Sequence, residues 1–294
     1  MLELTTYLKE RRERVDQFID RHLPPPAERP AVLHEAMRYS TLAGGKRIRP
    51  ILCTAAAEAV GGTFESALLP AAAIELLHTY TLIHDDLPCM DDDELRRGRP
   101  TCHVQFGEAN AVLAGDALLT LAFEWISETP APSRYLPTQL ALELAHASGS
   151  RGVIAGQVED LAGEGRELAL EDLEFIHRRK TATLLRAAVR IGCIAGGGSP
   201  EELDALTQYG ADIGLAFQIA DDILNVTSNA ETMGKPVGND EKRKKSTYVR
   251  IHGLEKAKGV AHELIDQAVG QLATLSGDSE PLTALAHYIV QRQN

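Results

Sequence analysis

Apolar residues recur at the spacing of one helical face along most of the chain. Leu215, Ile219 and Ile223 show the pattern plainly, since each follows the previous one by four residues. Clusters such as Pro24–Pro26 and Gly44–Gly45 interrupt the pattern and predict where helices end. The predicted helices cover residues 3–21, 31–43, 51–60, 66–86, 109–128, 135–149, 150–163, 171–195, 201–228, 253–274 and 280–292.

Nothing in the sequence divides the chain or predicts a sheet. We find no strict alternation of apolar and polar residues, which is the pattern of a half-buried strand, and no linker or low-complexity segment. The length of 294 residues alone favours about two domains. The unbroken helical pattern outweighs that expectation. We therefore predict a single all-α domain over residues 1–294, with roughly ten or more helices.

Composition narrows the function classes. The chain is 44% hydrophobic, enough for a large core, and its net charge of -12 argues against nucleic acid as a partner. The cysteines have no C-x-x-C spacing, which disfavours a zinc site and a disulfide framework. A Rossmann glycine fingerprint and a Walker loop are also absent from the sequence.

The charged N-terminal segment and the apolar runs bear on location. Residues Lys9–Arg14 are highly charged, unlike the start of a secretory signal peptide. No uninterrupted apolar run reaches the roughly 20 residues of a membrane span. We therefore expect a cytoplasmic protein with reduced thiols and no membrane span.

One acidic stretch stands out from this background. Six carboxylates lie between Asp85 and Glu94, and Arg96, Arg97 and Arg99 follow them directly. Packed carboxylates repel one another unless a cation neutralises them, and hard oxygen ligands with room for water suit Mg²⁺. Arginine forks onto phosphate oxygens. The stretch predicts a site for magnesium and a phosphate-containing substrate, although an acidic run by itself is usually a solvated loop.

A second acidic cluster favours the metal interpretation over the solvated loop. Gln218, Asp221, Asp222 and Asn225 share or border the helical face opposite the apolar stripe of Leu215. Carboxylates on an apolar helix need a partner. Two helices that each carry an Asp-Asp pair are therefore candidates to hold one metal cluster between them.

The spacing within the first cluster requires a distortion. Asp85 and Asp91 do not share a helical face, since six residues turn a helix by about 600°. Pro88 lies between them and clashes with the preceding turn, so the helix has to distort or end there and is expected to bring Asp91 back towards Asp85. His78 lies on the same helical stripe as Asp85 and is a candidate phosphate contact, although a lone helical histidine is more often structural.

Further along the chain, residues 233–245 form a basic segment that is either a solvated linker or a lid over a phosphate site. Together the motifs resemble those of the short-chain trans-isoprenyl diphosphate synthase family, and within it those of the bacterial farnesyl diphosphate synthases. The resemblance covers nearly the whole chain and rests on Gly44–Pro50, Asp85-Asp86-x₄-Asp91, Leu95–Gly98, Gly156-Gln157-x₂-Asp160, Lys180-Thr181, Phe217-Gln218-x₂-Asp221-Asp222 and Lys244–Tyr248.

The resemblance implies an isoprenoid synthase fold, with helices around a deep central cavity, and usually a homodimer. It also implies Mg²⁺, as three ions when substrate is bound. The implied metal ligands are Asp85, Asp86, Asp91 and Asp221. The implied contacts to the allylic diphosphate are Arg96, Lys180 and Lys235. The implied contacts to the diphosphate of isopentenyl diphosphate are Lys46, Arg49, His78 and Arg97. The residues implied to face the developing cation are Lys180, Thr181 and Gln218. Lys245 is implied to belong to a closing lid.

The implied chemistry suits these residue types. Metal and arginine charges favour ionisation of the allylic C–O bond, and a dry site protects the carbocation from water. The alkene of isopentenyl diphosphate then attacks C1, and the released diphosphate is the expected base. Two such cycles from dimethylallyl diphosphate through geranyl diphosphate give (2E,6E)-farnesyl diphosphate.

Two positions bear on the chain length of the product and on the metal contacts. Tyr80 lies five residues before Asp85, at a place where the family lines its pocket floor, and its bulk predicts a fifteen-carbon product. Asn225 replaces the aspartate that usually ends the second motif, so one metal contact loses a charge. The alternatives are a geranylgeranyl or geranyl diphosphate synthase, a terpene cyclase, a metal phosphohydrolase and a silent partner subunit. A cyclase would not need Lys46 and Arg49, and a phosphohydrolase would need further histidines.

Overall fold

In the computed structural model, residues 2–227 and 246–291 are described, and these ranges are almost entirely helical. The helices are α1 Leu4–His22, α2 Ala31–Thr41, α3 Ile48–Ala59, α4 Phe64–Asp85, α5 Cys102–Phe106, α6 Glu108–Glu128, α7 Gln139–Ser148, α8 Val153–Gly163, α9 Leu170–His177, α10 Thr183–Gly196, α11 Pro200–Thr227, α12 Tyr248–His252, α13 Leu254–Gln271 and α14 Glu280–Gln291. A π-helical turn, Arg178–Ala182, joins α9 to α10, and a 3₁₀ turn, Leu272–Thr274, follows α13.

Helix α4 lies at the centre of the bundle. Thr63 and Ser66 cap its N-terminus by exchanging hydrogen bonds between side chain and backbone. The segment Ala71–Leu77 is buried on all faces. A helix with so little polar surface needs neighbours all around it, and α3, α6 and α10 pack along it. The acidic stretch therefore follows a helix that its surroundings hold rigidly.

A second layer of helices packs on the side of α10 that faces away from α4. Helix α11 lies between α10 and α13, and the C-terminal helix α14 packs against α11 and α3. Tyr209 on α11 is fully buried there and donates a hydrogen bond to the Leu282 carbonyl at 2.8 Å. The two layers share α10, so the two acid-bearing helices α4 and α11 both pack against it.

Among the described residues, two helices, α4 and α6, are long and apolar enough to cross a membrane when judged on length and composition alone. The apolar window is 67% buried in α4 and 39% buried in α6. The burial of α4 is that of a core helix, and one or two such helices are weak evidence for a membrane span.

The all-α prediction is confirmed, and two local expectations are corrected. The predicted helix over 171–195 contains the π-helical turn. Within the described residues a small antiparallel hairpin also occurs, in which β1 (Leu95–Arg96) pairs with β2 (Arg99–Pro100). Its tight turn places Arg97 at φ 53° and Gly98 at φ 73°. Strands of two residues are too short to show an alternating pattern.

Candidate active site

The chain folds back on itself directly after α4. The backbone N–H of Asp91 donates to the carbonyl of Asp85 at 2.8 Å, and those of Met90 and Asp92 donate to Leu87 at 2.9 and 3.1 Å. Pro88 lies within this turn and prevents a further helical turn. The expected return of Asp91 towards Asp85 is therefore present in the backbone.

The carboxyl group of Asp85 lies in a charged and partly dry environment. Burial raises the pKa of Asp85 to about 6, Lys180 opposes that shift, and Asp91 adds to it. Two carboxylates that disfavour each other's charge are an arrangement that a divalent cation stabilises. Within the described residues no three His, Cys, Asp or Glu side chains are grouped as a metal site, but the carboxylates at this turn are oxygen donors of the kind that Mg²⁺ takes.

Asp86 and Arg96 hold each other in the structure. Asp86 is 3% exposed, and Nε of Arg96 donates to its two carboxylate oxygens at 2.9 and 2.7 Å, while Nη2 donates at 2.5 Å. Burial would lower the pKa of Arg96, but the bonds and charge of Asp86 raise it above its usual value. Asp86 thus ties the hairpin to the end of α4. Its predicted role as a metal ligand, and that of Arg96 as a diphosphate contact, stay predictions.

The π-helical turn carries Lys180 and Thr181. Nζ of Lys180 donates to Asp160 on α8 at 2.7 Å. Helix α8 approaches the turn so closely that a Cβ on Gly156 would lie 2.1 Å from the backbone nitrogen of Lys180. The Gly156-x₃-Asp160 spacing therefore provides both the close approach and the partner of Lys180.

Helix α11 packs against the same turn, since a Cβ on Gly214 would lie 2.5 Å from the Cβ of Ala182. One turn further along α11, Nε2 of Gln218 donates to Asp221 at 3.2 Å. Asp222 is buried and accepts a hydrogen bond from the backbone N–H of Tyr248 at 2.6 Å. Asn225 follows Asp221 by one helical turn. That Asp85 and Asp221 face each other across one hollow stays a prediction.

The basic residues near the start of α3 form a separate group. Nη1 of Arg49 donates to Nε2 of His78 at 3.1 Å. Burial, followed by the charge of Arg49, holds the pKa of His78 well below its usual range, so the ring is neutral and accepts. Arg97 donates to the carbonyl of Gly44, two residues before the exposed Lys46. The structure thus brings His78 and Arg97 to the Gly44–Pro50 segment, which contains Arg49. The predicted contacts of Lys46, Arg49, His78 and Arg97 to a diphosphate stay predictions. Lys235 and Lys245 lie outside the described residues.

An apolar cavity of about 410 Å³ opens beside Asp85. Its lining residues come from α4, α6, α8 and the turn after α4, and they are Tyr80, Thr81, His84, Asp85, Met90, Asp116, Leu119, Val153, Ile154, Gln157, Val158 and Leu161. The volume is within the range of about 300–1,000 Å³ for small-molecule sites.

Tyr80 forms part of the wall of this cavity, and its ring packs edge-on against His84 at 5.4 Å between centroids. Nε2 of His84 donates to the carbonyl of Val112 on α6 at 3.0 Å. A Cβ on Gly115 would lie 2.1 Å from that nitrogen, so glycine makes room for the ring.

Reasoning from the sequence missed Arg47 and Glu75, which form a buried ion pair beneath the basic group. The signal that could have found it is the single carboxylate in the apolar run Ala71–Leu77. Asp160 was part of a motif, but nothing in the sequence predicted that it pairs with Lys180.

Comparison with known proteins identifies the family. The polyprenyl synthetase family model matches residues 30–284. Geranylgeranyl pyrophosphate synthase 7 of Arabidopsis thaliana, a chloroplastic protein, is 50% identical over 99% of this chain and 85% of its own length. The crystal structure of geranylgeranyl pyrophosphate synthetase from Pyrococcus horikoshii superposes with a TM-score of 0.88 at 32% identity, over 99% of this chain and 100% of that one. The crystal structure of an FPP/GFPP synthase from Zymomonas mobilis superposes with a TM-score of 0.84 at 38% sequence identity, over 98% of each chain.

The chain therefore belongs to the polyprenyl synthetase family, whose members here are short-chain trans-prenyl diphosphate synthases. The resemblance drawn from the motifs, the isoprenoid synthase fold and the prenyltransferase class are confirmed.

The expectation of a cytoplasmic protein is wrong by the same comparison, because the plant relatives are chloroplastic. The lack of a secretory signal pattern does not test for organelles, since transit peptides follow different rules.

Proposed function

We propose that this protein condenses isopentenyl diphosphate with allylic diphosphates and that its main product is geranylgeranyl diphosphate. The observation that carries the proposal is the Asp85–Asp91 turn, which lies at an apolar cavity and within electrostatic range of Lys180. Such a site suits a substrate with a charged head and an apolar tail.

Asp85, Asp91 and Asp221 are the proposed Mg²⁺ ligands, with Asp86 as a further candidate, and three ions are proposed in the substrate complex. When bound, Mg²⁺ would supply positive charge that stabilises the leaving diphosphate. Lys180, fixed by Asp160, would contact the same diphosphate, as would Arg96. Lys180, Thr181 and Gln218 would face the carbon that becomes cationic.

Isopentenyl diphosphate would be held by the basic group around Gly44–Pro50. The neutral ring of His78 accepts a hydrogen bond from Nη1 of Arg49, and this contact would orient the guanidinium at the proposed diphosphate site. Lys46 and Arg97 would contribute further positive charge. The alkene would then attack C1 of the allylic chain in the cavity, whose mostly apolar lining would limit contact with water, and the released diphosphate would accept the proton.

The relatives favour the twenty-carbon product over the fifteen-carbon product that Tyr80 predicts. Matches of 48–50% identity over nearly the whole chain are named geranylgeranyl pyrophosphate synthases. Tyr80 lies in the cavity wall, and α8 contributes lining residues from Val153 to Leu161, a stretch of about 12 Å.

The test is to incubate the protein with Mg²⁺, isopentenyl diphosphate and either dimethylallyl, geranyl or farnesyl diphosphate, and to separate the products by chain length. We expect all three primers to be used and geranylgeranyl diphosphate to accumulate. Products that stop at farnesyl diphosphate, with farnesyl diphosphate refused as a primer, would contradict the twenty-carbon proposal and favour the alternative. Consumption of an allylic diphosphate that does not depend on isopentenyl diphosphate would indicate a cyclase instead.

We also propose that the protein is a homodimer. Helix α6 exposes Val112 and Leu113, and the neighbouring α5 exposes Val104. Exposed apolar side chains grouped on adjacent helices are typical of an interface.

A further inference from the structure

Arg47 lies inside the basic segment Gly44–Pro50, but its side chain points away from solvent. The side chain is 1% exposed. Its backbone is in the left-handed region at φ 52°, directly before α3. A residue with a side chain rarely adopts this conformation, and it persists where the surroundings enforce it.

The guanidinium of Arg47 is bound by three different elements. Nε donates to Asp16 on α1 at 2.7 Å, and Nη1 donates to Glu75 on α4 at 2.6 Å. Nη2 donates to the carbonyl of Thr41 at the end of α2, also at 2.6 Å. Held in this way, the guanidinium is directed into the protein rather than towards a ligand.

Glu75 is the buried carboxylate that allows the charged guanidinium of Arg47 to lie in the protein interior. Its side chain is 4% exposed and lies one helical turn before His78 on α4. A buried arginine without a carboxylate partner would be strongly disfavoured. The pair therefore fixes the Gly44–Pro50 segment to the central helix, and Arg97 also binds this segment, through the carbonyl of Gly44.

Arg47 and Ile48 separate Lys46 from Arg49. Ile48 is already helical, so the left-handed backbone of Arg47 sets the direction in which Lys46 leaves α3. We propose that Arg47 is a positioning residue for isopentenyl diphosphate, which fixes Lys46 and Arg49 through its pair with Glu75 without touching the substrate. The inference rests on the proposed function, because it assigns this segment to that substrate.

The experiment compares a single and a double substitution. Arg47→Met leaves Glu75 buried and unpaired, so a loss of stability is expected. Arg47→Met combined with Glu75→Leu removes the whole pair, and replacing a buried ion pair by apolar residues is often neutral or stabilising. We expect the double variant to recover its melting temperature.

Positioning predicts a selective loss in that double variant. We expect its KM for isopentenyl diphosphate to rise between about tenfold and about a hundredfold, since small misplacements of binding groups have effects of this size. Its KM for the allylic diphosphate should stay within about threefold of that of the unchanged protein. A double variant with normal melting temperature and normal KM for isopentenyl diphosphate would overturn the proposal.

If the double variant does not fold, Arg47→Lys decides the question, because it keeps the charge but loses the fork that reaches three partners. We expect the same selective rise in the KM for isopentenyl diphosphate. KM values for both substrates that match those of the unchanged protein would overturn the proposal. The control replaces a partly buried ion pair, with Arg190→Met and Glu143→Leu. Arg190 forks onto Glu143 at 2.7 Å through two nitrogens, away from the basic segment, so both KM values should be unchanged.

Calorimetric titration with isopentenyl diphosphate alone separates this inference from the proposed function. Binding that is weakened in the variants, without any turnover in the unchanged protein, would reject the proposed reaction and retain the role of Arg47. Absence of binding to the unchanged protein would reject both.

Discussion

At the scale of single residues, the Tyr80 ring is held in the cavity wall by contacts that lead through His84 to helix α6. Its ring packs on His84, and His84 is fixed by the carbonyl of Val112 in space provided by Gly115. The position of the ring therefore depends on α6 as well as on α4. We therefore expect bulk at this place to limit the length of a chain that grows away from Asp85.

We predict that Tyr80→Ala yields longer products. Removal of the ring enlarges a cavity lined by apolar side chains, which can accept further isoprene units. Chromatography of the products against standards measures the change. Tyr135→Ala is the control, because that ring lies elsewhere and bonds to Gly198, and its products should match those of the unchanged protein. An unchanged product from Tyr80→Ala would show that Tyr80 is a core residue without influence on length.

His177 is a buried histidine whose ionisation opposes folding. Burial lowers the pKa of His177 from 6.5 to about 4, so the ring is neutral at pH 7 and its contact with Asp222 at 3.8 Å is not an ion pair. Between pH 4 and 6.5 the unfolded chain binds a proton that the folded chain does not. Stability therefore rises with pH across this window and is lost as pH falls.

The predicted contribution of His177 over this window is about 3 kcal/mol. Urea unfolding of the unchanged protein and of His177→Gln at pH 4.5 and 7 measures it, and the variant should lose less stability on acidification. His262→Gln, an exposed histidine, should behave like the unchanged protein. If the free energy of unfolding of the His177 variant changes with pH as much as that of the unchanged protein, this ring does not cause the loss of stability at low pH.

At the scale of elements, the contact of α8 with the π-helical turn is the closest approach that positions Lys180. It depends on Gly156, because the backbone of Lys180 occupies the space that a Cβ at position 156 would need. It also depends on Asp160, which accepts a hydrogen bond from the Lys180 ammonium. Backbone cannot yield as a flexible side chain can, so any larger residue separates the two elements.

We predict that Gly156→Ala lowers the free energy of unfolding by about 1–3 kcal/mol and raises the KM for the allylic diphosphate. Gly259→Ala in α13 is the matched control, because nothing lies within 4 Å of its added Cβ. Alanine is the better helix former, so this control should gain about 0.5–1 kcal/mol. Urea unfolding and steady-state kinetics measure both effects, and a Gly156 variant as stable as the control would contradict the close contact.

At the scale of the whole molecule, helix α6 has the apolar composition of a core helix but is covered on one side only. Its apolar window is 39% buried, whereas that of α4 is 67% buried. Leu113 is 55% exposed on this face. A second copy of the chain that covers α6 would remove this apolar surface from water.

We predict that Leu113→Glu weakens dimerisation by about a hundredfold or more, because a carboxylate would be buried without a partner. Analytical ultracentrifugation over a range of concentrations measures the change. Leu136→Glu introduces the same charge at a residue exposed in the loop before α7, and it should leave the dimer intact. An unchanged protein that sediments as a monomer would reject the homodimer, and a dimeric Leu113 variant would place the interface elsewhere.

Local patterns along the chain were sufficient for much of this molecule. Helical periodicity and the glycine and proline clusters predicted the all-α class, and Pro88 predicted the fold-back that joins Asp91 to Asp85. The ordered motifs identified the family, which the comparisons confirmed. These features depend on residues that are neighbours in sequence, so their physical consequences can be worked out without knowing the packing.

Tertiary structure alone decided which distant groups meet. Arg47 and Glu75 are 28 residues apart, and Lys180 and Asp160 are 20 apart. Several residues of each type could serve as partners, and no periodicity distinguishes them. Which residues pair depends on which helices pack together and how closely. Here this packing is set by the helices that surround α4 and by glycines such as Gly156. The sequence by itself therefore determined the helices and the chemistry they carry, and packing determined the pairs that hold this chemistry in place.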